Sequence, residues 1–415
     1  MTEHKKQDLV DHLFRHQFGK MVAILTRIFG LTNLETIEDA VQDTFVSALK
    51  NWRKKIPDNP EAWLTQAAKN RTIDLLRKIK ADTNRETTFE SGAAAIRLND
   101  MFLEHEIEDS QLRMIFTACH PNLKPIEQIV FALKSISGFS TKEISSALLV
   151  KEATIKKRLL RARQSIKANN ISFSLPEDEI ISNRIQSVLN VIYLIFNEGF
   201  HSGKKDILIR KDLCGEAIRL CKLLLKKVRY RNGSSYSLFA LLCIHAARLE
   251  SKVNEANELV DIENQDRSKW YMPLVDLGSN ALMTSYEYND QSSYAIEAAI
   301  ALEHLKAKSF SDTNWRKIVE LYYSLYELYP SENILLNKAI VHLQLKELDI
   351  CKQLLDSFEA QSLEQRAYLY HATLAKYFIA IDNIIEAKSQ YEIAYQLTNN
   401  NIEKQYLLKQ IKSLN

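Results

Sequence analysis

Residues 150–167 read VKEATIKKRLLRARQSIK, with seven Lys or Arg and one acid, Glu152. At a helical period Ile155, Leu159, Ala162 and Ile166 fall on one stripe, which packs on a core and leaves the cations off it. The stretch before it, FSTKEISSALL (139–149), sets Ser140 three residues ahead of Glu143, the spacing of a capping box, followed by Ile144, Ala147 and Leu148. Two short helices joined near Leu149–Lys151, the second basic on its outer face, have the layout of a helix-turn-helix. The plain competitor is a solvated charged helix end, but start cap, turn and basic face occur together here, and that combination favours nucleic acid.

Composition narrows the class. Among 415 residues there are only 9 Gly and 7 Pro, against ordinary usage of roughly 7% and 5%. So few breakers predict an all-α chain, long enough for two or three domains. Neither a Walker-type nor a dinucleotide-binding glycine motif occurs, which argues against nucleotide-driven chemistry. Residues 1–174 hold 27 Lys and Arg against 21 Asp and Glu, while the remainder holds 28 against 31. A basic front half and a faintly acidic rear half imply different partners. The N-terminus lacks a long apolar core and no stretch reaches the ~20 apolar residues of a membrane span, so a cytoplasmic protein with no membrane partner is expected.

The five cysteines, Cys119, Cys214, Cys221, Cys243 and Cys351, form no C-x-x-C and read as reduced core thiols. His12 and His16, with Asp8 one turn earlier, are the nearest thing to a metal face, but no further ligand is identifiable, so no metal or cofactor is expected. No Ser/His/Asp or Cys/His set announces itself, and an enzyme is the least supported class.

Along the chain, a helix over 7–30 is followed by one whose Val41, Phe45, Ala48, Leu49 and Trp52 share a face. Pro57 and Pro60 bracket a turn before a helix over 60–79, PEAWLTQAAKNRTIDLLRKI, with Trp63, Ala67, Ile73 and Leu76 expected inward and Lys69, Arg71, Arg77 and Lys78 outward. From 81 to 110 periodicity fades and eight acids outnumber Arg85 and Arg97, which reads as a mobile acidic linker. Two helices split by Pro121 and Pro125 then lead into the helix-turn-helix. Past NNISFSLPEDE (169–179) the pattern is helix after helix. Segments 335–358 and 371–397 are self-similar at an offset of 36, pairing Leu336, Ala339, Cys351, Leu355 and Phe358 with Ala372, Ala375, Ala387, Tyr391 and Ala394. That offset is close to the ~34-residue tetratricopeptide unit. In FNEGFHSG (196–203), Asn197, Glu198 and His201 are a candidate ligand set, while Gly199 reads more simply as a helix C-terminal cap.

With the pieces placed, EISSALLVKEATIKKRLLRAR (143–163) resembles the fourth conserved region of bacterial RNA polymerase sigma factors, matching at Glu143, Leu148, Val150, Thr154, Arg158, Leu159, Arg161, Ala162 and Arg163. Upstream, IEDAVQDTFVSALKNW (37–52) and PEAWLTQAAKNRTIDLLRK (60–78) resemble the second conserved region, in the order and spacing of the compact extracytoplasmic-function type. Leu149 stands where many members have Gly, and Lys151 where Ser is frequent. The subgroup with a long C-terminal helical extension is also similar in VIYLIFNEGF (191–200), IENQDRSKW (262–270) and DTNWRKIVELYYSLYELYP (312–330).

The resemblance implies a region 2-like helical domain over 1–80, a linker over 81–110, a region 4-like helix-turn-helix domain over 111–172 and a tetratricopeptide-like domain over 173–415. It implies core RNA polymerase, through its β and β′ subunits, and promoter DNA as partners. Asp39, Gln42, Asp43 and Phe45 would bind core polymerase. Trp63, Asn70, Arg71, Asp74, Arg77 and Lys78, with the Lys54–Asp58 loop, would capture the opened −10 element, where aromatic pockets and basic tracks hold single strands. Lys151, Glu152, Thr154, Lys156, Lys157, Arg158 and Arg161 would face the −35 element, some reading base edges and Lys156 and Arg161 touching phosphates. The rear half is expected to bind a protein or peptide partner and regulate the front half. Two competitors stay open: a helix-turn-helix regulator with a helical-repeat sensor that is no polymerase subunit, and a scaffold whose basic helices are mere surface.

Overall fold

The computed structural model describes residues 3–52, 56–83, 104–148, 150–177, 180–200, 209–256, 258–290 and 292–414. These residues hold 18 α-helices and no β-strand, in two compact units, Met1–Val191 and Ile192–Asn415. The expected all-α class is what the chain adopts.

In the first unit α1 (Glu3–Phe29) is followed by α2 (Leu34–Asn51) and α3 (Pro60–Thr83). Asn59 opens α3, its Oδ1 accepting from the backbone N–H of Ala62 at 3.0 Å, and Pro60 occupies the first position, where a missing N–H costs nothing. The buried face of α3 runs Leu64, Ala68 and Thr72. That is a rotation from the expected face: Trp63, Ala67 and Ile73 flank it half-buried, and Lys69, expected outward, is buried. A stripe of adjacent small and apolar positions admits either phase, and packing against α1 and α2 selects one.

Helix α4 spans Glu104–Ala118. The end of the stretch expected as a mobile linker is therefore ordered: Glu106 pairs with Arg27 of α1, and Asp109 with Arg113 at 3.0 Å. Acidity there is ion pairing, not tether chemistry. Residues 84–103 lie outside those described.

Then come α5 (Pro125–Ser135), α6 (Thr141–Ala147) and α7 (Glu152–Ala168). The capping box at α6 is complete: Ser140 Oγ accepts from the Glu143 N–H at 3.1 Å, and the Glu143 carboxylate accepts from the Ser140 N–H at 2.8 Å. Helix α8 (Ile181–Phe200) follows, with Gly199 inside it, where a cap was expected. The absent Cβ is what matters: Gly199 O accepts from the Arg210 N–H at 2.6 Å, and a methyl on Gly199 would lie 2.8 Å from both Arg210 O and Cys214 Sγ.

The second unit continues through α9 (Lys211–Lys226), α10 (Gly233–Ala246), α11 (Met272–Ser285), α12 (Ser293–Lys306), α13 (Trp315–Leu328), α14 (Glu332–Gln344), α15 (Leu348–Asp356), α16 (Ala367–Ala380), α17 (Ile384–Leu397) and α18 (Asn401–Ser413). The 36-residue offset is physical. The α14–α15 pair buries Leu336, Ala339, Cys351 and Leu355, and the α16–α17 pair buries Ala375, Ala387, Tyr391 and Ala394. Each pair turns through a left-handed residue, Lys346 at φ 60° and Asp382 at φ 61°. In each, the next N–H, of Glu347 or Asn383, bonds to a carbonyl five residues back at 2.9 Å.

Candidate nucleic-acid interface

Helix α7 buries Ile155, Leu159, Ala162 and Ile166, the stripe read from sequence, against α5 and α6. Lys151, Lys156, Lys157 and Arg161 are exposed, and Glu152, Thr154 and Arg158 half-buried. The arrangement can present donors to a groove edge and to phosphates at once. Leu160, 53% exposed, was not among the sequence candidates.

Two contacts lock the helix-turn-helix. Ser145 Oγ donates to Val150 O at 2.7 Å, and the Val150 N–H returns a bond to Ser145 O at 3.2 Å. Leu149 itself lies outside the described residues. Thr141 Oγ1 donates to Glu152 Oε1 at 2.7 Å, and Lys156 Nζ lies 3.1 Å from the same oxygen. These hydrogen bonds hold the Glu152 carboxyl below the usual range. Glu152 thus ties the start of α7 to the start of α6.

On α2, Asp39, Gln42 and Asp43 are exposed and, with Thr36, Val46 and Leu75, line an open cleft. Burial and the neighbouring Glu35 raise the Asp39 carboxyl. Phe45 departs from the other three: it is 3% exposed, its ring edge-on to Phe14 at 4.9 Å, so its side chain lies in the core of the domain and not on the cleft. On α3, Asn70, Arg71, Asp74 and Arg77 are exposed, while the Lys78 side chain and residues 53–55 lie outside those described. Arg71 Nη2 reaches Asp43 Oδ2 at 2.9 Å, joining a −10 candidate to a polymerase candidate. Trp63 is half-buried, edge-on to buried Trp52 at 5.4 Å.

Unread in the sequence is how the two halves of this unit pack. Gly19 of α1 meets the end of α5 so closely that a methyl on it would lie 1.8 Å from Ile136 O. Gly138, at φ 71°, abuts Phe18. Ser135 Oγ donates to Glu38 Oε1 at 2.6 Å, and Arg163 of α7 bridges Glu35 and Glu38 of α2. The sequence places Glu38 and Arg163 in matching motifs but carries no sign that they meet.

Among the described residues, no cluster of three or more His, Cys, Asp or Glu side chains is placed to hold a metal, and no helix is long and apolar enough to cross a membrane. The side chains of Asp8, His12 and His16, and residue His201, lie outside those described, whereas Asn197 and Glu198 are half-buried and burial raises the Glu198 carboxyl.

Comparison with known proteins agrees with this geometry. Residues 13–81 match Sigma-70 region 2, residues 113–166 match Sigma-70, region 4, and residues 184–286 match a family of unknown function, DUF6596. An uncharacterized protein of Rhizobium meliloti (strain 1021) is 30% identical over 386 residues, 92% of this chain and 90% of that protein. The ECF RNA polymerase sigma factor SigE of Mycolicibacterium smegmatis is 26% identical over 157 residues, 38% of this chain and 60% of that protein. No solved structure matches the chain. With both conserved regions in order, a capped helix-turn-helix carrying an exposed cationic face, and a helical rear half, the chain belongs to the extracytoplasmic-function RNA polymerase sigma factors, in a form with a long C-terminal helical extension, and directs transcription initiation.

Proposed function

We propose that α7 enters the major groove of the −35 element, that α3 captures the −10 strand, and that the cleft beside Asp39, Gln42 and Asp43 docks the β′ subunit of core polymerase. The carrying observation is the division of α7 into a buried apolar stripe and a face of exposed Lys151, Lys156, Lys157 and Arg161. A helix built only for packing has no use for that face, and a scaffold has no use for a second one on α3. The work is binding in the cytoplasm, not catalysis.

The packing of region 4 on region 2 adds a step. Promoter elements about 25 base pairs apart lie roughly 80 Å apart at ~3.4 Å per step. A compact body of ~190 residues has a radius of gyration of about 16 Å, so it is near 40 Å across. Region 4 must therefore leave region 2 before both elements are held. Arg163, Glu38 and Gly19 sit on the surface that parts.

The extension over 173–415 is read as the regulator of that transition through a protein or peptide partner, supported by its paired helices of tetratricopeptide-like spacing. The deciding experiment adds the purified chain to core polymerase on a promoter template. A specific transcript is expected. Operator binding without initiation would favour the simple helix-turn-helix regulator, and wild-type promoter activity in cells from residues 1–175 alone would remove the extension from control.

A further inference from the structure

The second unit carries a cluster of basic groups that the promoter-binding machinery does not use. Lys252 is 5% exposed; its Nζ donates to Phe200 O at 2.7 Å and lies 3.4 Å from the centre of the Phe200 ring. The Arg248 guanidinium is 5.2 Å from the same ring, and among the described residues its side-chain hydrogen bond is a long contact with Gln265 Oε1, 3.5 Å. The His245 ring stands 4.9 Å from that of Phe200 and faces Arg248, Lys252 and His304. His304 in turn faces Arg248 and Arg267. Arg267 spends Nη1 on the carbonyls of His304 and Ala307, both at 2.8 Å, and stacks 4.4 Å over Trp270.

What is missing is a negative charge. Among the described residues Arg248, Lys252, His245 and His304 have no carboxylate partner, and only Asp312 stands near Arg267. Three buried nitrogens, Arg267 Nη2, His245 Nδ1 and His304 Nδ1, have no hydrogen-bond partner. Carbonyls and ring faces offset part of the desolvation cost of a buried cation, but three basic side chains and two imidazoles gathered with Asp312 alone nearby among the described residues remain unfavourable.

The scaffold around the cluster is built and rigid. Trp270 Nε1 donates to Ser251 Oγ at 2.9 Å, Ser251 Oγ lies 3.2 Å from Gln265 Oε1, and Gln265 Nε2 donates to Val260 O at 3.1 Å. Arg248 and His245 are half-buried, so the cluster retains a route to solvent.

We propose that this cluster is an oxyanion site, taking the phosphate or carboxylate group of a small molecule between Arg248, Arg267 and the two imidazoles, with the Lys252 amine as the innermost donor. The burial of Lys252 and of Arg267 Nη2 sets the size: a small group reaches them, whereas the surface of a folded partner cannot. Guanidinium groups suit the bidentate geometry of both oxyanions. The proposal goes beyond the sigma-factor reading and does not depend on it.

The test titrates the full chain with inorganic phosphate and, separately, with sodium acetate, each against sodium chloride at matched ionic strength, by calorimetry and by thermal unfolding. Keeping the anions below about 10 mM separates saturable binding from general salting effects. Saturable binding of at least one anion is expected, weakened at least tenfold in Arg248→Gln and largely kept in Arg248→Lys. The anion that binds identifies the group. Failure of both to bind overturns the proposal, as does equal binding by Arg248→Gln. Should Arg248→Gln fail to fold, Lys252→Met gives the same reading. Because binding is measured without polymerase, its failure leaves the transcription assay untouched.

Discussion

Arg163, midway along α7, places Nη2 2.7 Å from Oε2 of Glu38, whose side chain is 3% exposed on α2. The same carboxylate accepts from Ser135 through its other oxygen at 2.6 Å. A carboxylate this buried is tolerated because both oxygens are bonded, one to a cation. The two promoter-binding regions therefore hold one another through a charge that the sequence distributes between them.

Arg163→Ala removes the cation and leaves Glu38 buried with one neutral donor. Unfolding of the first unit should become easier by about 2 kcal/mol. Small-angle scattering should show a larger radius of gyration at unchanged helix content. An unchanged radius would mean that apolar packing alone keeps the regions together.

Gly19→Ala tests the same contact without altering charge. A methyl 1.8 Å from Ile136 O cannot be accommodated unless α1 and α5 move apart. A backbone shift of this kind costs about 1–3 kcal/mol. The scattering change seen in Arg163→Ala should recur, while DNA affinity of the exposed α7 face stays at least as high.

On DNA, Lys157→Ala and Arg161→Ala should each lower affinity evenly across sequences and reduce the slope of log affinity against log salt by about 1. Arg158→Ala should cost more than ~1 kcal/mol and relax preference at one base position. Anisotropy titrations at several salt concentrations distinguish the two behaviours. Unchanged affinity and slope would take Arg158 out of the interface.

Lys346 and Asp382 hold the left-handed region, where a side chain is strained. Lys346→Gly should raise the stability of the second unit by about 0.5–1 kcal/mol, and Asp382→Gly by less, because Asp tolerates that conformation better. Urea unfolding measures both. Loss of stability in Lys346→Gly would show that the exposed lysine makes contacts worth more than the strain.

Acid should weaken the second unit through His304. Burial and the facing cations Arg248 and Arg267 lower its imidazole from 6.5 to about 4. The unfolded chain therefore binds the proton more readily, so stability is full above pH 6.5 and falls as pH drops toward 4, by up to about 3 kcal/mol. His304→Gln should flatten that part of the curve.

The apolar stripe of α7, the capping box at Ser140 and Glu143, and the 36-residue offset are legible in sequence because each is a local pattern with a fixed period. The phase of α3 was misread because Trp63, Leu64, Ala67 and Ala68 allow two neighbouring faces, and packing against other helices chooses between them. The burial of Phe45 was not legible, because an aromatic on an amphipathic helix can serve the core as well as a partner. The Glu38–Arg163 pair and the cluster around Arg248 could not be read: they join residues 125 apart and segments of α10, a loop and α12, and no spacing encodes such meetings.

All five cysteines are buried, and desolvation pushes the thiols of Cys119, Cys214 and Cys243 up to about 12. A thiol held protonated inside a core is silent toward alkylating reagents. The chain thus contains its own labelling reporters, one in the first unit at Cys119 and four in the second, and maleimide uptake resolved by peptide would time the opening of each unit with no residue changed.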